Sequence, residues 1–142
     1  SASHPFEQML AMLALISGGV LERHPRLRVA FLESGCGWLP YWLWRMDEHW
    51  EKTEGIEGEP RLTLPPSEYF RRQCWISFEP DEPYIPKVLD FIGEDRLLFA
   101  SDYPHPDPKW PEIAEAMLAM PILDSVKKKI LWDNPAAFYG LQ

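Results

Sequence analysis

The stretch Leu97-Leu98-Phe99-Ala100-Ser101-Asp102-Tyr103-Pro104-His105-Pro106-Asp107 decides the fold class of this chain. An apolar run of strand length ends in an acid, and a proline-broken loop that carries His105 and Asp107 follows it. In parallel α/β proteins, ligands and chemistry lie at the carboxyl ends of the strands. Asp102 is therefore a candidate metal ligand or proton carrier. The alternative is a helix-capping or turn aspartate, because Asp is common in both positions.

Strand-like runs alternate with helical patterns along the rest of the chain. Apolar runs predict strands at Leu27–Leu32, Trp75–Phe78 and Arg96–Ser101. Helical periodicity and capping signals predict the remaining elements: helices over Phe6–Glu22, Tyr41–Trp50, Ser67–Gln73, Tyr84–Ile92, Lys109–Met120 and Ile122–Leu131, a loop over 52–66 and a last turn at Asn134-Pro135. A helix followed three times by a strand–helix pair predicts one α/β segment, residues 1–142, with a parallel sheet and right-handed crossovers.

Each predicted strand is followed by an acid, namely Glu33, Glu79 and Asp102. Parallel strands place their carboxyl ends side by side, so we expect these carboxylates to converge at one rim of the sheet. Glu79 is equally consistent with a solvated acid outside the interior of the sheet.

Composition excludes several functional classes. The apolar fraction of 46% and the seven tryptophans predict a folded globular protein rather than a disordered one. The net charge of −8 disfavours nucleic acids and anionic membranes as partners, since both require clustered positive charge. The longest apolar stretch, Met9–Val20, is too short to cross a bilayer and lacks the basic start of a signal peptide. Cys36 and Cys74 follow no disulfide or metal spacing, and reduced thiols in the cytoplasm are expected.

Four blocks carry a resemblance to a known family. They are Gly19–Val29, Glu33–Pro40 with Arg45–Glu48, Phe99–His105 and Asn134–Leu141. In this order they resemble the amidohydrolase-related proteins, which include aminocarboxymuconate-semialdehyde decarboxylase and the resorcylate decarboxylases. The resemblance implies a TIM-type (β/α)8 barrel, of which this chain covers the last three strands with their helices.

The resemblance also implies a metal-dependent site. Asp102 matches the last-strand aspartate that the family uses beside a divalent metal, as a ligand and as a proton acceptor. Glu33 stands where many members have a histidine, and it is expected to be a second catalytic carboxylate. Zinc is the family's common ion, although manganese or magnesium would also suit a carboxylate-rich rim. The histidine ligands of the family are absent, because the chain contains no HxH pair.

Three further residues are candidate substrate-binding groups. The resemblance gives Arg45 a role at a substrate carboxylate or a subunit interface, whereas a salt bridge to Asp47 or Glu48 is the alternative. His105 is placed at the mouth of the site, or else in a turn where Asp107 holds it. Trp38 opens an aromatic cluster that is typical of a substrate platform, and equally of a core or an interface.

These observations predict a metal-dependent hydrolase or decarboxylase that acts on a small carboxylated substrate. The alternative is a catalytically silent α/β module that serves assembly or binding. Three strands leave both edges of a sheet unpaired, which favours aggregation unless the edges are covered. We therefore expect the chain to associate with another copy of itself or with a missing N-terminal half.

Overall fold

Helices alternate with three short parallel strands in the computed structural model, which describes residues 2–53, 55–58, 61–105 and 110–141. The strands are β1 (Val29–Phe31), β2 (Cys74–Phe78) and β3 (Leu97–Phe99), and they form a parallel sheet in the order β1-β2-β3. The helical elements are α1 (His4–Ile16), α2 (Val20–Arg23), α3 (Leu39–Thr53), α4 (Pro66–Gln73), α5 (Ile85–Ile92), α6 (Glu112–Ala119), α7 (Asp124–Lys128), a π-helical turn (Lys129–Asp133) and α8 (Asn134–Tyr139). The parallel α/β architecture expected from the sequence is confirmed.

The predicted first helix, Phe6–Glu22, is wrong in its length. It divides into α1 and α2, because Gly19 adopts a left-handed backbone conformation with φ of 72°. A side chain at Gly18 would collide with the carbonyl oxygen of Ala14, so glycine is required there. Two adjacent glycines therefore end one helix and re-aim the chain toward β1.

The C-terminal helices also differ from the prediction. The start predicted for the sixth helix, Lys109, lies outside the described residues, and the described helix begins at Glu112. The predicted Ile122–Leu131 helix begins instead at Asp124 and widens into the π-helical turn at Lys129. The turn closes where the backbone N–H of Asn134 donates to the carbonyl oxygen of Lys129, and Pro135, which has no N–H, follows it in α8.

The core lies on the face of the sheet that the helices cover. Phe31, Ile76 and Leu97 stand in one register row and are almost completely buried. They pack in one apolar cluster with Leu43 of α3 and Val88 of α5. Alternation along the strands aims the intervening side chains at the opposite face of the sheet.

Helix α8 covers this opposite face near the amino ends of β2 and β3. Trp75 is buried between the guanidinium of Arg96, 4.5 Å from its ring centre, and the ring of Phe138 in α8, 5.3 Å away. Asn134 is buried at the start of α8 and donates to the carbonyl oxygens of Glu94 and Leu97, both at 2.8 Å. These bonds fix α8 against the amino end of β3.

No helix in the described part of the chain has the length and apolar character needed to cross a bilayer. Cys36 and Cys74 are unpaired thiols, as expected, and both are completely buried. Burial raises the pKa of the Cys74 thiol to about 12. The two thiols are therefore inert side chains of the core.

A buried tyrosine fastens the loop before α4 to α2. The Tyr69 hydroxyl donates to the Glu22 carboxylate and accepts the backbone N–H of Thr63 at 3.0 Å. The Thr63 hydroxyl donates to the same carboxylate at 3.1 Å, and the Arg72 guanidinium adds an attractive charge. The Tyr69 hydrogen bond is the main reason that the pKa of Glu22 lies below its ordinary value.

We expect this contact to make stability depend on pH. A carboxyl group whose pKa is lower in the folded state contributes stability above the unfolded pKa, about 4.5 for Glu22, and loses it as the pH falls through the folded value. Glu22→Gln should therefore lower the urea midpoint at pH 6, and the gap to the wild type should narrow as the pH falls below 4.5. Glu115→Gln, at an exposed position of α6, is the matched control. A gap that stays constant as the pH falls below 4.5 would contradict the assignment.

Candidate functional site at the carboxyl edge of the sheet

Two strand-end carboxylate residues share an unusual backbone conformation. Glu33, two residues after β1, has φ of 64°, and Asp102, three residues after β3, has φ of 52°. They are the non-glycine residues with positive φ in the described part of the chain. The left-handed region is unfavourable for a residue with a Cβ. Asn and Asp adopt it more readily than Glu, because their short polar side chains can form hydrogen bonds to the local backbone. Such strain is concentrated at functional sites, where the rest of the fold compensates for it.

Ser77 compensates for the turn at Glu33. The β1–β2 ladder ends at the pair Phe31 and Ile76, although β2 continues to Phe78. Beyond that pair, the backbone N–H of Glu33 donates to the Ser77 hydroxyl at 3.1 Å. The Glu33 carboxylate has no hydrogen bond or ion pair with another described residue, so its oxygens are available to a ligand.

Glu82 joins the loops that follow β1 and β2. Its carboxylate accepts the backbone N–H groups of Cys36 at 2.8 Å, Gly37 at 3.1 Å and Glu79 at 2.7 Å. The first two groups immediately precede α3, so the negative charge also lies at the positive end of that helix. Gly35 has φ of 66°, and a Cβ there would lie 3.0 Å from a Glu82 oxygen, so the close approach requires glycine. Glu82 is thus a structural acid that fixes the loop carrying Glu33.

Cys36, whose backbone N–H donates to Glu82, has a buried thiol. Burial, followed by the nearby Glu82 charge, raises the pKa of Cys36 well above its ordinary value. Burial therefore disfavours the thiolate form of Cys36.

Asp102 and His105 lie together after β3. The Asp102 carbonyl accepts the His105 N–H at 2.8 Å, and the Asp102 carboxylate lies 3.6 Å from Nδ1 of His105. Both side chains are solvent-accessible, 39% for Asp102 and 70% for His105, so a ligand can reach them. Asp107, the partner expected for a turn histidine, lies outside the described residues.

Arg45 and Trp38 are engaged in local contacts. Arg45 lies on the exposed side of α3, where it forms an ion pair with Glu48 and lies 5.6 Å from the ring centre of Trp44. This ion pair is the alternative that the sequence offered for Arg45. Trp38 is half-buried, packs against the core, and donates from its indole nitrogen to the carbonyl of Ser34 at 3.2 Å. Its ring lies in the loop between Glu33 and α3.

The strand-end acids share one edge but do not by themselves form a metal centre. Glu79 is exposed, and its backbone belongs to the Glu82 contact. Across the described ranges, no group of three or more His, Cys, Asp or Glu side chains could hold a metal ion. Asp102 fits a single ligand position with its accessible carboxylate, and the donors among the described residues do not complete a site.

A cavity lies away from this edge. It has a volume of about 1040 Å³ and lies between the ends of α1 and α3 and residues 55–58 and 61–63. Leu13, His49 and Arg61 are among its lining residues, and none of the strand-end acids lines it. This cavity is therefore separate from the candidate site at the carboxyl edge.

Sequence reasoning missed the roles of Ser77 and Glu82. Ser77 is the one hydroxyl within the apolar run Cys74–Phe78, and a lone polar residue in a buried strand requires a partner. That signal was available in the sequence. Glu82 gave none, because its three partners are backbone N–H groups that only the folded loops bring together.

Comparison with known proteins places the chain in a family. The family model described as amidohydrolase matches residues 2–141. The chain belongs to the amidohydrolase family. The 2-amino-3-carboxymuconate-6-semialdehyde decarboxylase of Dictyostelium discoideum is 30% identical over 145 residues, which are 96% of this chain and 38% of that protein.

Solved structures of the family share the fold. The 5-carboxyvanillate decarboxylase of Sphingomonas paucimobilis matches with 29% identity and a TM-score of 0.76, covering 93% of this chain and 39% of that one. The Novosphingobium aromaticivorans enzyme of the same name, solved with manganese and 4-hydroxy-3-methoxy-5-nitrobenzoic acid, matches with 27% identity and a TM-score of 0.78 over 94% and 38%. These amidohydrolases are TIM barrels, so the expected partial barrel is confirmed. The chain spans about two fifths of the length of the relatives it matches.

Proposed function

We propose that this chain supplies the last three strands of a metal-dependent amidohydrolase-family decarboxylase that acts on a small carboxylated substrate. The observation that carries the proposal is the pair of accessible strand-end carboxylates, Glu33 and Asp102, both held in left-handed backbone at one edge of the sheet. The decarboxylases among the relatives favour loss of carbon dioxide over hydrolysis.

Asp102 is the proposed ligand and proton carrier. Its carboxylate would provide one ligand to a divalent metal, and the other ligands would come from residues outside the described part of this chain. Manganese is the ion in the Novosphingobium relative, and zinc remains the alternative from the sequence. The bound metal would act as a Lewis acid toward the substrate.

The other rim residues act on the substrate and the proton. In decarboxylation, the bond from the carboxyl carbon to the rest of the substrate breaks, carbon dioxide leaves, and a proton takes its place. An accessible carboxyl group at the rim can hold and deliver that proton. We assign this proton to Asp102, with Glu33 as the second pocket carboxylate and His105 beside Asp102 at the mouth of the site. Trp38 would contact the substrate from the loop after Glu33.

Arg45 fits a role between molecules better than a role inside the rim. Its guanidinium is exposed on α3 and is held by Glu48. A carboxylate on a neighbouring copy, or on a substrate bound there, could reach it from outside. Both β1 and β3 have one edge unpaired in the described sheet, and we propose that another copy or a further part of the protein covers these edges.

An assay at the natural length of the protein tests the proposal. The purified protein, loaded with manganese, is given carboxylated phenols and, in parallel, esters and amides of the same aromatic acids. We expect carbon dioxide release, abolished by a chelator and restored by metal. Hydrolysis without carbon dioxide release would replace decarboxylation with amidohydrolysis. No turnover and no bound metal would leave the silent module as the correct alternative.

A further inference from the structure

We infer that Ser77 is a positioning residue for the Glu33 carboxylate at the carboxyl edge of the sheet. The inference rests on the proposed function for its catalytic consequence, although its structural part stands on the geometry alone. Ser77 is 5% exposed, on the strand between those that carry the two strained carboxylates.

The hydrogen bond at Ser77 lies where the backbone ladder stops. In a regular parallel pair, the next N–H of β1 would donate to a backbone carbonyl of β2. The N–H of Glu33 donates instead to the Ser77 hydroxyl at 3.1 Å. The Ser77 hydroxyl therefore replaces the backbone carbonyl as the acceptor for the Glu33 N–H. Glu33 can then leave the extended conformation without a buried unpaired N–H.

The choice of residue at position 33 indicates that its side chain matters. A left-handed turn at the end of a strand suits Gly, Asn or Asp, each of which adopts φ near 60° more easily than Glu. The chain keeps Glu33 there with φ of 64° and leaves its carboxylate without a described partner. Ser77 stabilises the left-handed backbone conformation of the residue that bears this carboxylate.

Removal of the hydroxyl is expected to misplace Glu33. Ser77→Ala should lower kcat about 10- to 100-fold with KM nearly unchanged, because a displacement of about 1 Å at a reacting group has effects of this size. Ser77→Thr retains the hydroxyl and should recover most of kcat. In a Glu33→Gln background, Ser77→Ala should add no further loss, since the group that it positions is already gone.

Ser67→Ala is the matched control. Ser67 is also 5% exposed, and its hydroxyl also accepts one hydrogen bond, from Arg71 at 3.1 Å, but it lies in α4 and not at the rim. This variant should leave kcat within about twofold of the wild type, as expected for a hydroxyl whose role is structural.

Hydrogen exchange at the Glu33 amide decides the structural part without any substrate. We expect at least tenfold faster exchange of this amide in Ser77→Ala, wild-type protection in Ser77→Thr, and no change in Ser67→Ala. Equal exchange in Ser77→Ala and the wild type would overturn the inference, as would additive losses of kcat in the double variant. A wild-type protein without turnover would refute the proposed function alone, because the exchange result is read independently.

Discussion

Asp102→Asn is expected to lower turnover by at least 100-fold. The substitution preserves the size of the side chain but removes its negative charge and its capacity to carry a proton. Loss of a general acid–base group lowers kcat by about 10²–10⁴-fold, and loss of a metal-ligating charge adds to that effect. We therefore expect kcat to fall by at least 100-fold, as measured by carbon dioxide release from the metal-loaded protein at its natural length.

Asp124→Asn is the control for this substitution. Asp124 begins α7 with its side chain 97% exposed, and it forms an ion pair with Lys127. The Asp124→Asn substitution removes the same charge at a position remote from the rim, so turnover should remain at the wild-type level. An Asp102→Asn protein that folds and keeps most of its turnover would refute the role given to Asp102.

Glu82→Ala is expected to produce the largest loss of stability among the rim substitutions. The carboxylate accepts three backbone N–H groups from two loops, and its removal leaves those donors without their partner. Hydrogen bonds to a charged group contribute about 1.5–3 kcal/mol each and are not additive, so a total loss of about 2–4 kcal/mol is expected. Urea unfolding followed by tryptophan fluorescence measures it.

Two neighbouring variants separate the hydrogen bonds from the charge. Glu82→Gln keeps an acceptor oxygen, and we expect it to lose about half as much stability as Glu82→Ala. Asp81→Ala removes an exposed acid from the same loop and should change the free energy of unfolding by less than about 0.5 kcal/mol. Equal losses of stability in Glu82→Ala and Asp81→Ala would contradict the role of Glu82 in joining the two loops.

Local patterns predicted the elements and failed where tertiary contacts decide. The apolar runs at Trp75–Phe78 and Arg96–Ser101 identified β2 and β3, because a buried strand requires apolar side chains on both faces. The first helix was overextended, since the effect of Gly18 and Gly19 depends on the backbone conformation that they adopt. Hydrophobic periodicity indicates which face of an element is buried and carries no information on left-handed turns.

The site was predicted as residue types at strand ends and not as geometry. Glu33 and Asp102 follow their strands as expected, and their shared backbone strain became visible only in the structure. The hydrogen bonds of Glu82 to Gly37 and Cys36 join two loops, across separations of 45 and 46 residues in the sequence. A single sequence contains no local signal for such a contact.

The metal content of the protein tests the central claim most directly. Wild-type protein, Asp102→Asn and Asp124→Asn are purified at natural length, equilibrated with manganese, freed of loosely bound ions and analysed for metal per chain. We predict an equimolar amount of metal in the wild type and in Asp124→Asn, and a large deficit in Asp102→Asn. Wild-type protein without stoichiometric metal, or Asp102→Asn with the same affinity as the wild type, would contradict the assignment of Asp102 to a metal-dependent site.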